Sequence, residues 1–241
     1  MKFVLDTHTH TYASGHAYNT MNEMAKAASD MGLQLLGITD HAPQMPGSCT
    51  HMHFMNLRAC PREKYGIRLL LGVELNILDY EGHVDLPTKI LEEMDLVIAS
   101  IHPPCFEGGS KEENTRAYLN VMDNPYIDVI GHPDDGRFPI DYEALVAKAS
   151  EKHIMLELNN SSLLPGSFRP GARENYEKML KLCKENRVPI LLSSDAHVEE
   201  KIGHFEEAEK LLDELDFPEE YIANCSLRNF EKFLDERRRT C

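Results

Sequence analysis

The chain has 241 residues, of which 42% are hydrophobic and 27% charged, a composition typical of an ordinary folded globular protein. Forty acidic residues against 25 basic ones give a formal net charge of −15, which disfavours nucleic acid and anionic membrane surfaces as partners. An anionic substrate therefore needs a local source of positive charge, and bound divalent cations would supply one.

Seven short runs rich in Val, Ile and Leu predict buried strands, because such runs are typical of parallel sheets covered on both faces. In chain order they span residues 2–6, 33–39, 67–75, 95–101, 127–131, 154–159 and 188–193. Amphipathic patterns predict helices over residues 20–31, 111–123, 141–152, 171–187, 204–215 and 226–238. Asp141 and Ser226 are expected to cap helix N-termini, and Gly32 is expected to end the first helix.

The alternation of strands with helices indicates parallel pairing through right-handed crossovers. We therefore predict a single α/β domain over residues 1–241, folded as a distorted (β/α)7 TIM-like barrel. An open, doubly wound parallel sheet is the alternative architecture. The barrel is favoured because polar residues follow the strands, and a closed barrel brings the carboxyl ends of its strands to one rim.

Potential metal ligands follow the apolar part of six of the seven predicted strands. They are His8 with His10, His41, Glu74, His102, His132, and Asp195 with His197. Residues two apart in a strand point the same way, so His8 and His10 can hold one ion, and Asp195 and His197 share a face. Imidazole and carboxylate groups together are typical ligands of Zn²⁺, Fe²⁺ and Mn²⁺.

The repetition of this pattern, rather than any one residue, favours a metal site. An isolated histidine at a strand end is usually an ordinary core or surface residue, and an isolated His-x-His pair is weak evidence. With His16 the set holds seven histidines and two carboxylates, more ligands than one tetrahedral ion needs. Two or three ions are therefore expected, with a carboxylate such as Glu74 bridging a pair.

Six motifs stand in a fixed order along the chain: Asp6-Thr7-His8-Thr9-His10, Thr39-Asp40-His41-Ala42, Gly72-Val73-Glu74, Ile101-His102, Gly131-His132-Pro133 and Ser194-Asp195-Ala196-His197. This series resembles the motifs of the PHP (polymerase and histidinol phosphatase) superfamily. Further segments, such as Ser14-Gly15-His16-Ala17-Tyr18 and Glu157-Leu158-Asn159-Asn160, are similar to the YcdX-type phosphatases. The similarity covers nearly the whole chain, but the loop 134–138 departs from it.

The resemblance implies a distorted (β/α)7 barrel that binds three divalent ions, usually zinc, with manganese or iron as alternatives. Carried over position by position, it assigns one ion to His8, His10, Glu74 and Asp195. It assigns a second ion to Glu74, His102 and His132, with Glu74 as the bridge. It assigns the third ion to His16, His41 and His197. It also suggests a homo-oligomer, specifically a trimer.

Such a cluster predicts a metal-dependent phosphatase that hydrolyses phosphate esters, monoesters in particular, with a metal-activated hydroxide. The substrate would be a small phosphorylated molecule. Glu74 and Asp195 are the catalytic candidates among the ligands. Asp6 and Asp40 are expected either to orient histidines through hydrogen bonds or to form turns at strand ends.

Three arginines are candidates for binding the phosphate, because a guanidinium fork matches its oxygen atoms. They are Arg58, Arg169 and Arg173, and each is also a candidate for an ordinary surface residue. Arg58 is the best of the three because of the motif around it.

Two other enzyme classes and one binding role compete with the phosphatase. An amidohydrolase also begins with a His-x-His strand, but usually has eight strands and a bridging lysine, which no predicted strand end supplies here. A TatD-like metal-dependent nuclease is disfavoured by the net charge of −15. A metal-holding module without activity is disfavoured because the ligand set is complete.

The cysteines and the apolar runs indicate a cytoplasmic protein. Six cysteines lie at positions 49, 60, 105, 183, 225 and 241, without any Cys-x-x-Cys spacing, which favours reduced thiols in a reducing compartment. The chain start does not resemble a signal peptide, and no apolar stretch reaches the roughly 18 residues that span a bilayer.

Overall fold

The computed structural model describes residues 1–239. Its strands are β1 (Leu5–Asp6), β2 (Leu35–Ile38), β3 (Glu63–Lys64), β4 (Ile67–Leu71), β5 (Val73–Asn76), β6 (Val97–Ser100), β7 (Val129–Ile130), β8 (Met155–Asn159) and β9 (Ile190–Ser193). Its helices are α1 (Met21–Asp30), α2 (His51–Asn56), α3 (Thr88–Leu91), α4 (Lys111–Val121), α5 (Tyr142–Lys152), α6 (Asn160–Leu163), α7 (Ala172–Asn186), α8 (Glu206–Glu214) and α9 (Leu227–Arg239).

The strands form the predicted seven-stranded parallel barrel. Strands β1, β2 and β4 pair in parallel, and so do β5, β6, β7, β8 and β9. Strands β4 and β5 follow each other directly and together form one strand of the barrel, with Gly72 between them. A Cβ atom at Gly72 would lie 2.1 Å from the carbonyl oxygen of Leu96. A parallel bridge between Thr9 and Ala196 joins the first strand to the last, so the open-sheet alternative is wrong.

A segment after the last barrel strand holds the first and last strands together. The Asn224 side chain accepts a hydrogen bond from the amide of Leu192 at 2.7 Å and donates to the carbonyl oxygens of Leu5 and Leu192. The backbone carbonyl of Asn224 accepts from the amide of Val4. Asn224 therefore pairs with backbone groups of the first and last strands that would otherwise bond directly to each other.

The barrel interior changes from apolar to polar along each strand. Alternate residues of a strand face the same way, and Met155 in β8 is followed on that face by Glu157. In β9, Leu191 is followed by Ser193. Helix α9 covers the apolar end with Phe230, Phe233 and Leu234, which belong to the same core cluster as the inward-facing strand residues. The buried polar groups are thus concentrated at the carboxyl ends of the strands.

The predicted helices and caps are confirmed. Asp141 accepts hydrogen bonds from the amides of Glu143 and Ala144, and Ser226 accepts one from the amide of Asn229. Gly32 follows α1 with φ of +78°, a conformation that favours glycine. Helices α2, α3 and α6 and the antiparallel edge strand β3 were not predicted, because each is shorter than the periodicity signal needs.

Five of the six cysteines are free thiols, at positions 49, 60, 105, 183 and 225. The remaining one, Cys241, lies outside the described residues. Within residues 1–239, no helix combines the length and the apolar character that crossing a membrane requires.

Candidate metal centre

The nine predicted ligands lie together at the rim formed by the carboxyl ends of the barrel strands. Glu74 is the central residue of this cluster and is fully buried. Its Oε1 atom lies 2.8 Å from Nε2 of His132 and 3.1 Å from Nε2 of His102. Its Oε2 atom lies 2.7 Å from Nδ1 of His41 and 3.2 Å from Nε2 of His8. The two carboxylate oxygens therefore face two different groups of histidines.

Asp195 approaches the same ring nitrogen of His10 as Glu74 does. Its Oδ1 atom is 3.1 Å from Nε2 of His10, and the Oε2 atom of Glu74 is 3.6 Å from the same nitrogen. The backbone at Asp195 has φ of +52°, a strained conformation for a residue with a side chain. Its carbonyl oxygen accepts a hydrogen bond from Nδ1 of His197, which leaves Nε2 of that ring available as a ligand.

His16 occupies the outer edge of the cluster. Its ring centroid lies 4.9 Å from that of His41 and 4.8 Å from that of His197. The His10 ring also contacts both of these rings, with centroids 4.3 Å from each; it is stacked on His41 and tilted against His197. Unlike the ligands around Glu74, His16 is solvent-exposed, so an ion held there would be the one most accessible from outside.

The donor atoms fit a group of metal ions. Among the described residues, the buried atoms Nε2 of His8, Nε2 of His10, Nδ1 of His41 and Oε2 of Glu74 have no hydrogen-bond partner. Potential ligand atoms form three sets, and within each set all of these atoms lie within 4.8 Å of one another. The sets are His10, His41 and His197; His8, His10 and Glu74; and His41, Glu74 and His102. Buried lone pairs that converge without donors are costly unless a cation lies between them.

These three sets overlap with the predicted ligand groups without reproducing them. His10 takes the place of His16 beside His41 and His197, and His41 takes the place of His132 beside Glu74 and His102. Because His10, His41 and Glu74 each belong to two sets, the geometry fits more than one ion.

The electrostatics of the cluster favour, for Glu74 and His10, the protonation states that can bind a metal ion. Burial raises the pKa of Glu74, but His8, His102 and His41 outweigh it and hold that pKa well below its ordinary value. Burial lowers the pKa of His10 well below its ordinary value, and His41 and His197 lower it further. Glu74 is therefore ionised and His10 neutral near pH 7, as metal binding requires.

His8 behaves differently because it lies between two carboxylates. Burial lowers its pKa, but Glu157 and Glu74 outweigh burial and hold the pKa of His8 well above its ordinary value. A proton on the His8 ring would therefore compete with a cation for its Nε2 atom.

Several polar residues that were not predicted as site residues hold the histidine rings. Glu157 accepts hydrogen bonds from Nδ1 of His8 and from the amide of His132. Asn76 accepts one from Nδ1 of His102 at 2.8 Å. Such partners fix which nitrogen of each ring faces the metal. Their position in the sequence could have identified them, because Glu157 and Asn76 lie near the carboxyl ends of β8 and β5.

The two predicted orienting aspartates have other direct partners. Asp6 accepts hydrogen bonds from the hydroxyl and amide of Ser194 and from the amide of Gly203, and burial raises its pKa to about 6. Asp40 accepts hydrogen bonds from Thr11 and from the hydroxyl of Ser14. Ser14 in turn contacts Nδ1 of His10 at 3.1 Å, so Asp40 reaches a histidine through one hydroxyl.

Of the three predicted phosphate-binding arginines, the structure brings Arg169 to the cluster. Its Nη2 atom lies 3.3 Å from Oδ2 of Asp195, and its side chain is buried. Arg173 lies on α7, where it pairs with Glu214 and Glu177. Arg58 is exposed on a short 3-10 helix. Neither Arg58 nor Arg173 borders the cavity beside the cluster.

That cavity has a volume of about 670 Å³, and His16, His41, His102, Asp195 and His197 form its floor. A larger groove of about 1000 Å³ lies between α5 and α7, but no histidine of the cluster borders it. We place the site at the smaller cavity because the convergent ligands, rather than size, define the chemistry.

The chain matches the PHP domain family model over residues 6–188. It is 48% identical over 237 residues to a protein of Clostridium novyi (strain NT) named as a probable phosphatase, covering 98% of this chain and 96% of that one. It is 45% identical over 238 residues to a probable phosphatase of Acetivibrio thermocellus, covering 99% and 98% of the two chains.

Two solved structures share the fold at low sequence identity. One is a histidinol phosphate phosphatase from Lactococcus lactis complexed with zinc, L-histidinol and phosphate, with a TM-score of 0.60 and 19% identity over 89% of this chain and 94% of that one. The other is an archaeal ribonuclease P with mature tRNA, with a TM-score of 0.58 and 18% identity over 97% and 90%. Because these two proteins differ in function, the shared fold does not identify a substrate.

Proposed function

Because the chain belongs to the PHP domain family, we propose that it is a metal-dependent phosphatase that hydrolyses small phosphate monoesters at three divalent ions on the barrel rim. Relatives that match it from end to end are named as probable phosphatases. The observation that carries the proposal is Glu74, a fully buried carboxylate whose two oxygens face separate groups of histidines. A carboxylate in that position is suited to bridge two ions.

The proposed ligands are His8, His10, His16, His41, Glu74, His102, His132, Asp195 and His197. Zinc is the proposed metal, with manganese or iron as alternatives, because mixed imidazole and carboxylate donors suit all three. The histidinol phosphate phosphatase of similar fold is complexed with zinc, which supports this choice.

Divalent ions in such a site lower the pKa of bound water to about 7 and neutralise charge on a phosphate. Glu74 and Asp195 are the catalytic carboxylates in this proposal, since both would contact the reacting centre through the ions they hold. Asp6 and Asp40 are positioning residues. Asp40 acts on His10 through Ser14, and Asp6 fixes Ser194 next to Asp195.

Arg169 is the proposed phosphate-binding arginine. It borders the cavity and is held by Ser162 at 2.8 Å and by Asp195 at 3.3 Å. Burial lowers the pKa of Arg169, but Asp195 and Asp134 outweigh it, so the side chain stays charged. A fixed guanidinium beside the cluster can bind a phosphate oxygen without reorganising. Arg58 and Arg173 are not part of this proposal.

A monoester substrate suits the charge of the site. The doubly charged phosphate offers three terminal oxygens, which several ions can bind together, whereas a neutral amide leaves part of the cluster without a ligand. The net charge of −15 supports a small substrate rather than nucleic acid. Among residues 1–239, no lysine borders the cavity, which disfavours the amidohydrolase alternative. The cytoplasmic location and the trimer remain predictions.

The direct test is turnover of p-nitrophenyl phosphate by the purified protein. We expect turnover that is lost on chelation and restored by Zn²⁺ or Mn²⁺, with little activity on a dipeptide or on lactones under the same metal. Glu63→Gln, a change in the exposed edge strand, is the control for Glu74→Gln. A preference for amides or lactones would favour the amidohydrolase, and metal binding without any turnover would favour a binding module.

A further inference from the structure

The cavity beside the cluster has room for much more than a phosphate group. Its volume of about 670 Å³ is in the range of sites that enclose a whole small molecule. Above the histidine floor, the walls are mostly apolar and are formed by Met45, Pro103, Pro104, Leu164, Pro165 and Phe168. If the phosphate lies on the floor, the rest of the substrate lies between these walls.

Arg137 is the second arginine that borders this cavity, and its hydrogen bonds differ from those of Arg169. Arg169 uses Nη1 to bind Ser162 and Nη2 to bind Asp195. Arg137 binds Asp135 through Nε and Nη2, and its Nη1 atom has no acceptor among the described residues. Its side chain is 39% exposed. Arg137 therefore has a free donor, on a fork oriented by Asp135, for a ligand in the cavity.

The loop that carries Arg137 packs against the segment that contains Phe168 and Pro170. The amide of Gly136 donates to the carbonyl oxygen of Pro170 at 2.8 Å, and a Cβ atom at Gly136 would lie 2.4 Å from that oxygen. The guanidinium of Arg137 lies 5.5 Å from the ring centroid of Phe168. This packing places the charge at the cavity wall before any ligand binds.

We propose that Arg137 binds a second anionic group, carried by the leaving group of the substrate. This inference rests on the proposed phosphatase function and names its substrate class: phosphate monoesters whose leaving group joins an apolar or planar body to a carboxylate or a second phosphate. The apolar walls accommodate the body, and Arg137 accommodates the charge. In a protein with a net charge of −15, such a group would be repelled without a local cation.

The test compares esters that differ in one charge. Phenyl phosphate, 4-carboxyphenyl phosphate and 1,4-phenylene bisphosphate are assayed as substrates of the wild-type protein and of Arg137→Gln. We expect Arg137→Gln to lower the preference for the charged esters over phenyl phosphate by about tenfold, the effect of one charge-assisted hydrogen bond. Comparing the two proteins cancels differences in the intrinsic reactivity of the esters, and the two charged esters distinguish carboxylate from phosphate.

Two further variants make the result specific. Arg137→Lys should keep part of the preference, because it retains the charge. Arg116→Gln removes one positive charge from an exposed residue that pairs with Glu81 and does not border the cavity, and should leave the preference unchanged. Turnover of phenyl phosphate with an unaltered preference in Arg137→Gln would overturn this inference alone. Failure of the wild-type protein to hydrolyse phenyl phosphate would overturn the phosphatase function and this inference with it.

Discussion

Asn76 determines which nitrogen of His102 faces Glu74 and the candidate metal centre. The Asn76 amide nitrogen donates to Oδ2 of Asp85 at 2.6 Å, so its oxygen is turned toward Nδ1 of His102. The same nitrogen donates to the carbonyl oxygen of Ala42 at 3.3 Å, so Asp85, the closer acceptor, and Ala42 together hold this orientation. Nδ1 of His102 then carries the proton, and its Nε2 lone pair lies 3.1 Å from Oε1 of Glu74. Two electron-rich atoms at that distance favour a cation between them.

This chain of hydrogen bonds gives a prediction at residue scale. In Asp85→Asn, the new amide can donate as well as accept, which allows Asn76 to turn its NH2 group toward His102. We expect the affinity for divalent metal to fall about 10-fold to 100-fold, as for other outer partners of metal-bound histidines. Competition with a fluorescent chelator measures it. Asp79→Asn is the matched control, because Asp79 lies in the same loop and binds the exposed His83. Equal affinities in both variants would contradict the account.

That the candidate ligands lie together was predictable from sequence, and the partners of their rings were not, for a physical reason. His8 and Glu74 stand at strand ends, so the topology of the barrel brings them together once the strands are recognised. Glu157 meets His8 across 149 residues of chain, and no local pattern identifies that pair. The orientation of Arg169 toward the cluster and of Arg173 toward Glu214 likewise depends on the path of the segment before α7.

Few direct hydrogen bonds join the first and last strands of the barrel. Strand β1 has two residues, Leu5–Asp6, and its direct pairing with the last strand lies beyond it, at the bridge from Thr9 to Ala196. The Asn224 side chain fills the gap between β1 and β9. Residues 8–10 and 193–197 continue from these strands, so this closure also positions the cluster.

Asn224→Ala should lower the free energy of unfolding by about 3 kcal/mol, because it leaves buried backbone groups of Leu5 and Leu192 without partners. Urea denaturation followed by circular dichroism at equal metal content measures the change. Asn186→Ala is the control, since Asn186 is exposed and binds the carbonyl oxygen of Leu182; its effect should stay within about 0.5 kcal/mol. Similar stability of the two variants would show that Asn224 does not hold the barrel closed.

All seven barrel strands and the six longer helices were predictable, because each is long or apolar enough to show its own periodicity. The segment from Ile222 to Asn224 gives no such signal, since it contributes a single bridge at Ile222 and the side chain and carbonyl oxygen of Asn224 rather than a strand. Helix α2, with two exposed methionines, lacks the apolar face that would have predicted it.

The whole molecule combines a strongly acidic surface with a site suited to concentrate positive charge. The formal net charge is −15, whereas the rim gathers seven histidines around two carboxylates. Without cations, the ionised Glu74 and Asp195 make this rim unsuitable for an anionic substrate. Metal binding would reverse the local sign, but only with several ions, because one divalent ion would merely balance the two carboxylates. Because the negative surface repels an anionic substrate, added salt should raise the rate of encounter by screening that charge.

The most direct test of this account is the amount of metal bound by the purified chain. Elemental analysis of protein kept from chelators should give about two to three equivalents of transition metal per chain, as the number of ligands requires. Glu74→Gln should bind at least one equivalent fewer, because the bridge is lost, with phosphatase activity falling in parallel. Fewer than about one equivalent in the wild-type protein, with no uptake from added Zn²⁺ or Mn²⁺, would contradict the metal cluster.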